Sequence, residues 1–164
     1  RELRSARGLP ATSISRMPIS EIQMPVGVDL PLAVGIPADY VFDQKIRLQL
    51  YRRLADSHSE ADLDPLMEEF KDRFGPIPEQ VSNLFLQMRV RLLSEQAGLA
   101  SVNQEGDQLV LRYPPLPAGV NSRNLPFLRA DIRSGKNAFW MPFDGSDTSW
   151  RDRLLDALHL IIET

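Results

Sequence analysis

The chain has 164 residues and a formal net charge of -3, and 43% of its residues are hydrophobic and 25% charged. This composition is typical of one globular domain plus a tail, and the negative charge argues against non-specific affinity for nucleic acids. The absence of cysteine excludes disulfides and thiolate chemistry, and no apolar run approaches the length that spans a membrane.

Residues 1–22 are predicted to form a tether. Arginines are scattered in this stretch among serine, glycine, proline and threonine without any period: Arg1, Arg4, Arg7 and Arg16. Such a pattern is typical of a solvated linker. Because the chain begins with arginine rather than methionine, we expect it to be one piece of a longer protein. Residues 1–22 would then be a linker, and residues 23–164 a single domain.

Residues 26–36 alternate between apolar side chains and small or polar ones. A period of two predicts a strand with one buried face. Pro31 lies within this run and cannot donate a hydrogen bond to a neighbouring strand, so we expect an edge strand or one that is broken there. Pro37 ends the pattern.

Three consecutive helices are predicted next. Asp43 is placed to cap the first helix, which extends to about Ser57. The second helix has two possible starts, a capping box that begins at Ser59 or an N-cap at Asp64 followed by Pro65. Proline in a helix interior costs about 3 kcal/mol, which favours the later start or a distorted first turn.

The second helix ends in a corner formed by Phe74, Gly75 and Pro76. Apolar residues at helical spacing precede this corner: Leu63, Leu66, Met67 and Phe70. A residue without Cβ suits the left-handed position at a helix C-terminus, and the prolines that follow prevent the helix from continuing. Charged residues lie beside the corner: Glu68, Glu69, Asp72 and Arg73.

The third helix, predicted from Pro78 to Ala97 and ended by Gly98, is apolar on two faces. One stripe contains Val81, Leu84, Phe85, Met88 and Leu92, and the other contains Leu86, Val90 and Leu93. A helix with two apolar faces is covered on two sides. We therefore expect this helix to be central in the domain.

The remaining sequence predicts two hairpins and a final helix. The hairpins span residues 100–113 and 128–143, with turns at residues 106–107 and 134–137. Ser146 or Asp147 is expected to cap the final helix, whose buried stripe is Trp150, Leu154, Leu158 and Ile161. The predicted fold class is α+β, with three consecutive helices after an edge strand, a small antiparallel sheet from two hairpins, and a C-terminal helix.

No catalytic or metal-binding motif stands out in the sequence. A phosphate-binding loop is absent, and His58 and His159 lack neighbours at metal-ligand spacing. The acidic residues between Glu60 and Asp72 suit a solvated helix face better than a pair of catalytic carboxylates. We therefore expect a domain that binds a partner, without catalysis and without a cofactor or metal.

The second hairpin favours an alternative function, which is nucleic-acid binding. Its aromatic residues are able to stack on bases: Phe139, Trp140 and Phe143. The arginines of residues 1–22 would add positive charge. Packing in the core of a small sheet is the commoner role for such aromatic residues, and basic residues do not concentrate around them in the sequence.

Three segments together resemble a known family. Residues 36–41 read Ile-Pro-Ala-Asp-Tyr-Val, residues 47–55 read Arg-Leu-Gln-Leu-Tyr-Arg-Arg-Leu-Ala, and residues 72–78 read Asp-Arg-Phe-Gly-Pro-Ile-Pro. Arg-Leu-Leu follows at residues 91–93, and Gly-Leu at residues 98–99. In order and spacing, residues 26–105 resemble the C-terminal domain of the bacterial transcription-repair coupling factor.

The resemblance implies a non-catalytic regulatory domain within a cytoplasmic, multidomain ATPase that translocates on DNA and displaces stalled RNA polymerase. In that family the C-terminal domain folds back on the N-terminal repair module of the same protein. There it covers the docking surface for the damage-recognition ATPase of nucleotide excision repair, so the implied mechanism is autoinhibition. The resemblance implies no direct contact with nucleic acid or membrane.

The resemblance also places carboxylates of the helix that ends at the corner in this internal interface. The matching positions are Glu69 and Asp72, with Glu68 and Arg73 beside them. Short acidic side chains at a helix end pair well with arginines of a partner. A structural role is open for Arg73, which would tie the corner to the acidic face of its own helix.

Overall fold

The computed structural model describes residues 26–164, so the predicted tether lies outside the described residues. Four helices are present in this part of the chain: α1 (Gln44–Ala55), α2 (Glu60–Phe74), α3 (Glu79–Ala97) and α4 (Ser149–Glu163). The first three are consecutive and α4 is the last element, as the sequence predicts. None of these helices is long and apolar enough to cross a membrane.

The strands within residues 26–164 form one sheet of five: β1 (Gly27–Asp29), β2 (Ser101–Glu105), β3 (Gln108–Arg112), β4 (Arg133–Ser134) and β5 (Ala138–Pro142). Their order across the sheet is β1-β2-β3-β5-β4. Both hairpins are antiparallel, whereas β1 joins the edge of the sheet parallel to β2. The expected α+β class is confirmed, and one parallel pairing makes the sheet mixed.

The first strand is shorter than its period-two pattern predicts, because the chain leaves the sheet after Asp29. The N–H of Gly35 donates to the carbonyl of Gln80 at 3.3 Å. The carbonyl of Ala33 accepts a hydrogen bond from the side-chain amide of Asn83 at 3.0 Å. These bonds attach the second half of the predicted strand to α3 instead of to the sheet.

The second hairpin is also shorter than expected, because residues 128–132 do not form a strand. The N–H of Ile132 donates to the carbonyl of Arg129 at 3.0 Å, which makes a turn just before β4. Within this hairpin, Arg133 and Ser134 are the residues that pair with β5.

Two hydrophobic cores lie on opposite faces of α3. The helical core is built from the segment before α1 and from α1, α2 and α3: Ile36, Val41, Leu50, Leu54, Leu63, Leu66, Phe70, Val81, Phe85 and Leu92. The sheet core joins α3 to the sheet and α4, and its members include Val90, Leu93, Leu109, Phe139 and Trp150. The two stripes of α3 therefore face different cores, which confirms its predicted central position.

The earlier of the two possible starts of α2 is the observed one, and Pro65 lies inside the helix. The Asp62 carboxylate accepts hydrogen bonds from the N–H groups of His58 at 2.9 Å and Ser59 at 3.3 Å. These bonds fix the first turn of the helix. Together with the burial of Leu66, they offset the backbone hydrogen bond that proline cannot make.

The N-cap of α4 is Thr148, so the predicted caps, Ser146 and Asp147, lie too early in the chain. The Asp147 carboxylate accepts hydrogen bonds from the N–H of Ser149 at 3.0 Å and from its hydroxyl at 2.8 Å. The four side chains of the predicted apolar stripe are all buried. This stripe packs α4 against α3 and the sheet.

Candidate functional site

The corner between α2 and α3 turns on the backbone of Gly75, which has φ 94° and ψ -165°. The positive φ agrees with the expectation, but ψ is extended rather than left-handed helical, and this combination is essentially restricted to glycine. The N–H of Gly75 donates to the carbonyl of Lys71 at 3.0 Å. The next helix begins directly after Pro78, so the reversal is short and fixed.

Tyr40 holds this corner from the segment before α1. Its hydroxyl lies 2.9 Å from the carbonyl oxygen of Gly75 and 3.2 Å from that of Phe70, and its single hydrogen is shared between these two acceptors. Burial raises the pKa of Tyr40, which keeps the hydroxyl protonated as a donor. Its ring lies 5.8 Å from the Phe74 ring. Tyr40 belongs to the family motif, but its role in holding the corner was not predictable from the sequence, because its hydrogen-bond partners lie 30 and 35 residues away.

Aromatic rings connect the corner to the helical core. The Phe70 ring meets the Phe74 ring at 6.2 Å and the Phe85 ring at 5.2 Å, both nearly at right angles. Edge-to-face pairs of this kind are favourable beyond the area they bury. Phe70 and Phe85 are fully buried, so the end of α2 is anchored to α3.

Glu69 lies beside the corner, and two arginines of the domain itself bind its carboxylate. Arg53 of α1 makes hydrogen bonds of 2.6 and 2.8 Å, and Arg73 makes another of 3.2 Å. The hydrogen bonds from Arg53, with a smaller contribution from Arg73, hold the pKa of Glu69 at about 2. The Arg73 guanidinium also lies 4.9 Å from the centre of the Phe74 ring. Much of the hydrogen-bonding capacity of this carboxylate is therefore used within the domain.

Asp72 and Glu68 are the exposed acids of the predicted site. Glu68 pairs with Lys71 at 3.1 Å, and its side chain is 67% exposed. None of the ion pairs formed among residues 26–164 includes Asp72. The predicted residues therefore lie on one surface, but they differ in whether they are paired within the domain. Glu69 fastens α1 to α2, whereas Asp72 presents its carboxylate to solvent.

A second set of charged residues connects three helices away from the corner. Arg89 of α3 contacts Glu60 at 2.8 Å and Asp64 at 3.0 Å, both on α2. Nε2 of His159 on α4 lies 3.0 Å from Glu60. Burial raises the pKa of Glu60, but hydrogen bonds from His159 and Arg89 outweigh it and bring the pKa below its usual value. Among residues 26–164 no cluster of acidic residues and histidines is arranged to hold a metal ion.

Most aromatic surface of the second hairpin is used for packing. Phe139 is buried in the sheet core, and the Phe143 ring packs against an aromatic ring of α4 at 5.3 Å. Trp140 is half-buried, and the Arg133 guanidinium lies 4.3 Å from the centre of its ring. The backbone of Gly135 is so close that a Cβ there would overlap the indole. The ring is therefore only partly available to a ligand.

Basic residues surround Trp140, which corrects the expectation that they do not concentrate there. Arg112, Arg133 and Lys136 line a depression of about 450 Å³ beside the indole. Arg112 also forms an ion pair with Glu105. The sequence did not reveal this cluster because Arg112 comes from the first hairpin and the other two cations from the second.

The two-core α+β fold has a counterpart among solved structures. A crystal structure of the C-terminal domain of transcription-repair coupling factor is similar, with a TM-score of 0.66 over 86% of this chain and 95% of that chain. The sequences are 17% identical, so this similarity establishes the fold. The family model of the TRCF domain matches residues 30–119, which include the corner and the first three helices. The chain therefore belongs to the TRCF domain family.

Several curated relatives carry the name transcription-repair-coupling factor. The Mycobacterium tuberculosis protein is 36% identical over 91 residues, which are 56% of this chain and 7% of that protein. The Haemophilus influenzae protein is 35% identical over 81 residues, 49% of this chain and 7% of that protein. The Rickettsia typhi protein is 30% identical over 95 residues, 58% of this chain and 8% of that protein. The matched region is thus a small part of each of these relatives.

Proposed function

We propose that this domain is a non-catalytic regulatory domain of a transcription-repair coupling factor. Residues 23–164 form the domain, and residues 1–22 connect it to a motor region. It folds back on the N-terminal repair module of the same protein and masks the docking surface for the damage-recognition ATPase of excision repair. Contact with RNA polymerase belongs to the full-length protein, and the domain works in the bacterial cytoplasm without a cofactor.

The observation that carries this proposal is the rigid corner with an outward carboxylate at Asp72. Tyr40 and Gly75 fix the backbone on which Asp72 stands, so little conformational freedom is lost when a partner arginine binds there. Membership of the TRCF domain family supports the choice of partner. A basic surface on the repair module is the chemistry that fits an exposed acid.

The weakness of exposed ion pairs suits an interface between the domain and the repair module that must dissociate. Exposed ion pairs contribute about 0.2–1 kcal/mol each, so a few of them hold the domain in place without sealing it. A release step then needs a bias of only a few kcal/mol between the closed and open states. Asp72 and Glu68 make the contacts to the partner in this proposal. Glu69 and Arg73 hold α1, α2 and the corner together.

Calorimetry with the isolated repair module tests this assignment. Asp72→Ala should leave the unfolding midpoint unchanged and weaken binding about two- to fivefold, the equivalent of one exposed ion pair. Glu69→Ala should mainly lower stability, and the double variant Glu68→Ala/Asp72→Ala, which removes both proposed partner contacts, should bind most weakly. Asp156→Ala, which removes an exposed acid of α4, is the matched control.

The damage-recognition ATPase provides the second arm of the test. If the domain masks its docking surface, the ATPase should compete with the domain for the repair module in a concentration-dependent manner. An unchanged affinity in the double variant, or simultaneous binding of domain and ATPase, would contradict the masking mechanism.

The basic depression beside Trp140 favours nucleic-acid binding as a second candidate function. Arg112, Arg133 and Lys136 would contact phosphates there, and a base would stack on the outer face of the Arg133 guanidinium. Fluorescence anisotropy with a labelled single-stranded oligonucleotide tests this function. Binding should weaken steeply with salt and be lost in Arg133→Glu but not in the control Lys45→Glu. Binding that is independent of salt would exclude it.

A further inference from the structure

An exposed proline-rich segment follows the first hairpin. Residues 113–117, here called the proline segment, read Tyr-Pro-Pro-Leu-Pro, and the three prolines are all exposed. The loop that carries them, residues 113–132, joins β3 to β4 and contains no helix or strand of its own. Loops of this length are uncommon in compact domains, and those that are ordered usually have a function.

Steric restrictions stiffen the backbone of the proline segment. Each proline has its φ fixed at about -65°. A residue that precedes a proline is driven out of the helical region towards extended or polyproline II conformations, and this applies to Tyr113, Pro114 and Leu116. The chain bends at Pro114 as it leaves β3, and no helix, strand or turn is formed by residues 115–117. The proline rings therefore stand on a stretch of chain with few alternative conformations.

Hydrogen bonds attach the start of the proline segment to the second hairpin. The carbonyl of Pro114 accepts hydrogen bonds from the Arg123 guanidinium and from the side-chain amide of Asn137, both at 3.0 Å. The N–H of Tyr113 donates to the carbonyl of Asn137 at 3.0 Å, and its ring lies 5.0 Å from the Arg123 guanidinium. The segment is thus presented in a fixed position, so little conformational entropy is lost when a partner covers it.

The region around the proline segment is positively charged, although the chain as a whole has a net charge of -3. Five cations lie within residues 108–143: Arg112, Arg123, Arg129, Arg133 and Lys136. The one carboxylate of this stretch is Asp131, which Arg129 binds at 2.6 Å. A partner surface that covers the prolines therefore gains from carboxylates at its rim.

We propose that the proline segment is a docking site for a protein partner with an aromatic-lined groove and an acidic rim. The segment contains the Pro-x-x-Pro pattern, from Pro114 to Pro117, that such grooves recognise in preformed proline-rich chains. Aromatic rings of the groove pack on the proline rings, and carboxylates of its rim pair with Arg123 and Lys136. None of these residues belongs to the helical core, and the inference does not depend on the proposed contact at the corner.

Binding to an SH3, a WW and an EVH1 domain, each with an acidic groove, tests this inference, because all three have grooves of the proposed kind. Fluorescence anisotropy of each labelled domain, titrated with the chain, measures the affinity. At least one domain should bind the chain as tightly as it binds a synthetic peptide of residues 110–119, or more tightly, because the segment is already held in place. Added salt should weaken this binding.

Proline variants identify the segment as the site of binding. Pro115→Ala/Pro117→Ala should weaken binding about tenfold or more, since two rings that the groove would cover are lost. Pro126→Ala, which removes an exposed proline of the same loop outside the segment, is the matched control and should have no effect. Far-UV circular dichroism should show that both variants keep the wild-type fold.

Three outcomes would overturn the docking site. The first is that none of the domains binds the chain, or that each binds it at least tenfold more weakly than the peptide. The second is that Pro115→Ala/Pro117→Ala binds as tightly as wild type. The third is that the double substitution weakens binding of a single-stranded oligonucleotide only, which would assign the segment to the nucleic-acid candidate.

Discussion

The helical core and the sheet core differ in how far apart their residues lie along the chain. The helical core is built from residues 36–92, where each helix packs on a helix close to it in sequence. The sheet core joins Leu30 to Ile161 and depends on pairing between distant strands. The corner is thus assembled from local contacts, whereas the basic depression beside Trp140 requires both hairpins.

The largest expected effect tests whether the two cores form one cooperative unit. Phe70→Ala empties a fully buried position of the helical core, and Phe139→Ala does the same in the sheet core. Each should lower the free energy of unfolding by about 3–5 kcal/mol. Because α3 lines both cores, each variant should still unfold in one transition.

Two probes check this cooperativity. Trp150 belongs to the sheet core and Trp140 lies on β5 of the same sheet, so tryptophan fluorescence reports on this part of the domain. Far-UV circular dichroism is dominated by the helices. If the two signals give different midpoints in urea for either variant, the cores unfold separately and the single-unit interpretation is wrong.

An intermediate effect compares glycines of the two regions. Gly75→Ala at the corner places a Cβ on backbone with φ 94° and ψ -165°, which should cost about 1–3 kcal/mol. Gly106→Ala, in the turn of the first hairpin with φ 62°, should cost roughly 1 kcal/mol. An added Cβ meets no atom within 4 Å at either position, so both costs come from the backbone. Equal unfolding midpoints for the two variants would show that the corner is not the more constrained turn.

The smallest effect concerns the pH dependence of the contact between α1 and α2. The folded-state pKa of Glu69 is about 2, below its ordinary value of 4.5, so its ion pairs stabilise the domain above pH 4.5 and are lost as pH falls towards 2. Glu69→Gln should therefore lower the free energy of unfolding by about 1 kcal/mol or less at pH 7.

The difference between wild type and Glu69→Gln should begin to shrink in urea unfolding at pH 4 and be mostly lost at pH 2.5, as the pH approaches the folded-state pKa. Glu163→Gln, which removes an exposed charge at the end of α4, is the control for net charge. A difference that stays constant from pH 7 to pH 2.5 would mean that Glu69 contributes through packing instead of charge.

The sequence predicted the helical part well because its signals are local. The stripes of α3 identified the helix that serves both cores, and the glycine and prolines after Phe74 identified the corner. The capping box at Ser59 competed with the proline signal at Pro65, and the structure shows that tertiary packing tolerates a proline inside α2.

Contacts between distant residues were not predictable in the same way. Neither the bond from Tyr40 to Gly75 nor the pair of Arg53 with Glu69 has a pattern in the linear sequence. The parallel pairing of β1 was missed for the same reason, since β1 and β2 are separated by three helices. The acids beside the corner were found from sequence, but it was not predictable that Glu69 is the one paired with arginines of the domain itself.

The position of α3 has a mechanical consequence. A helix shared by two cores connects the corner to the sheet through packed side chains. The contact between His159 and Glu60 ties α4 directly to α2 as well. We therefore expect residues 26–164 to move as one rigid body, so that a force applied to α4 also displaces the corner.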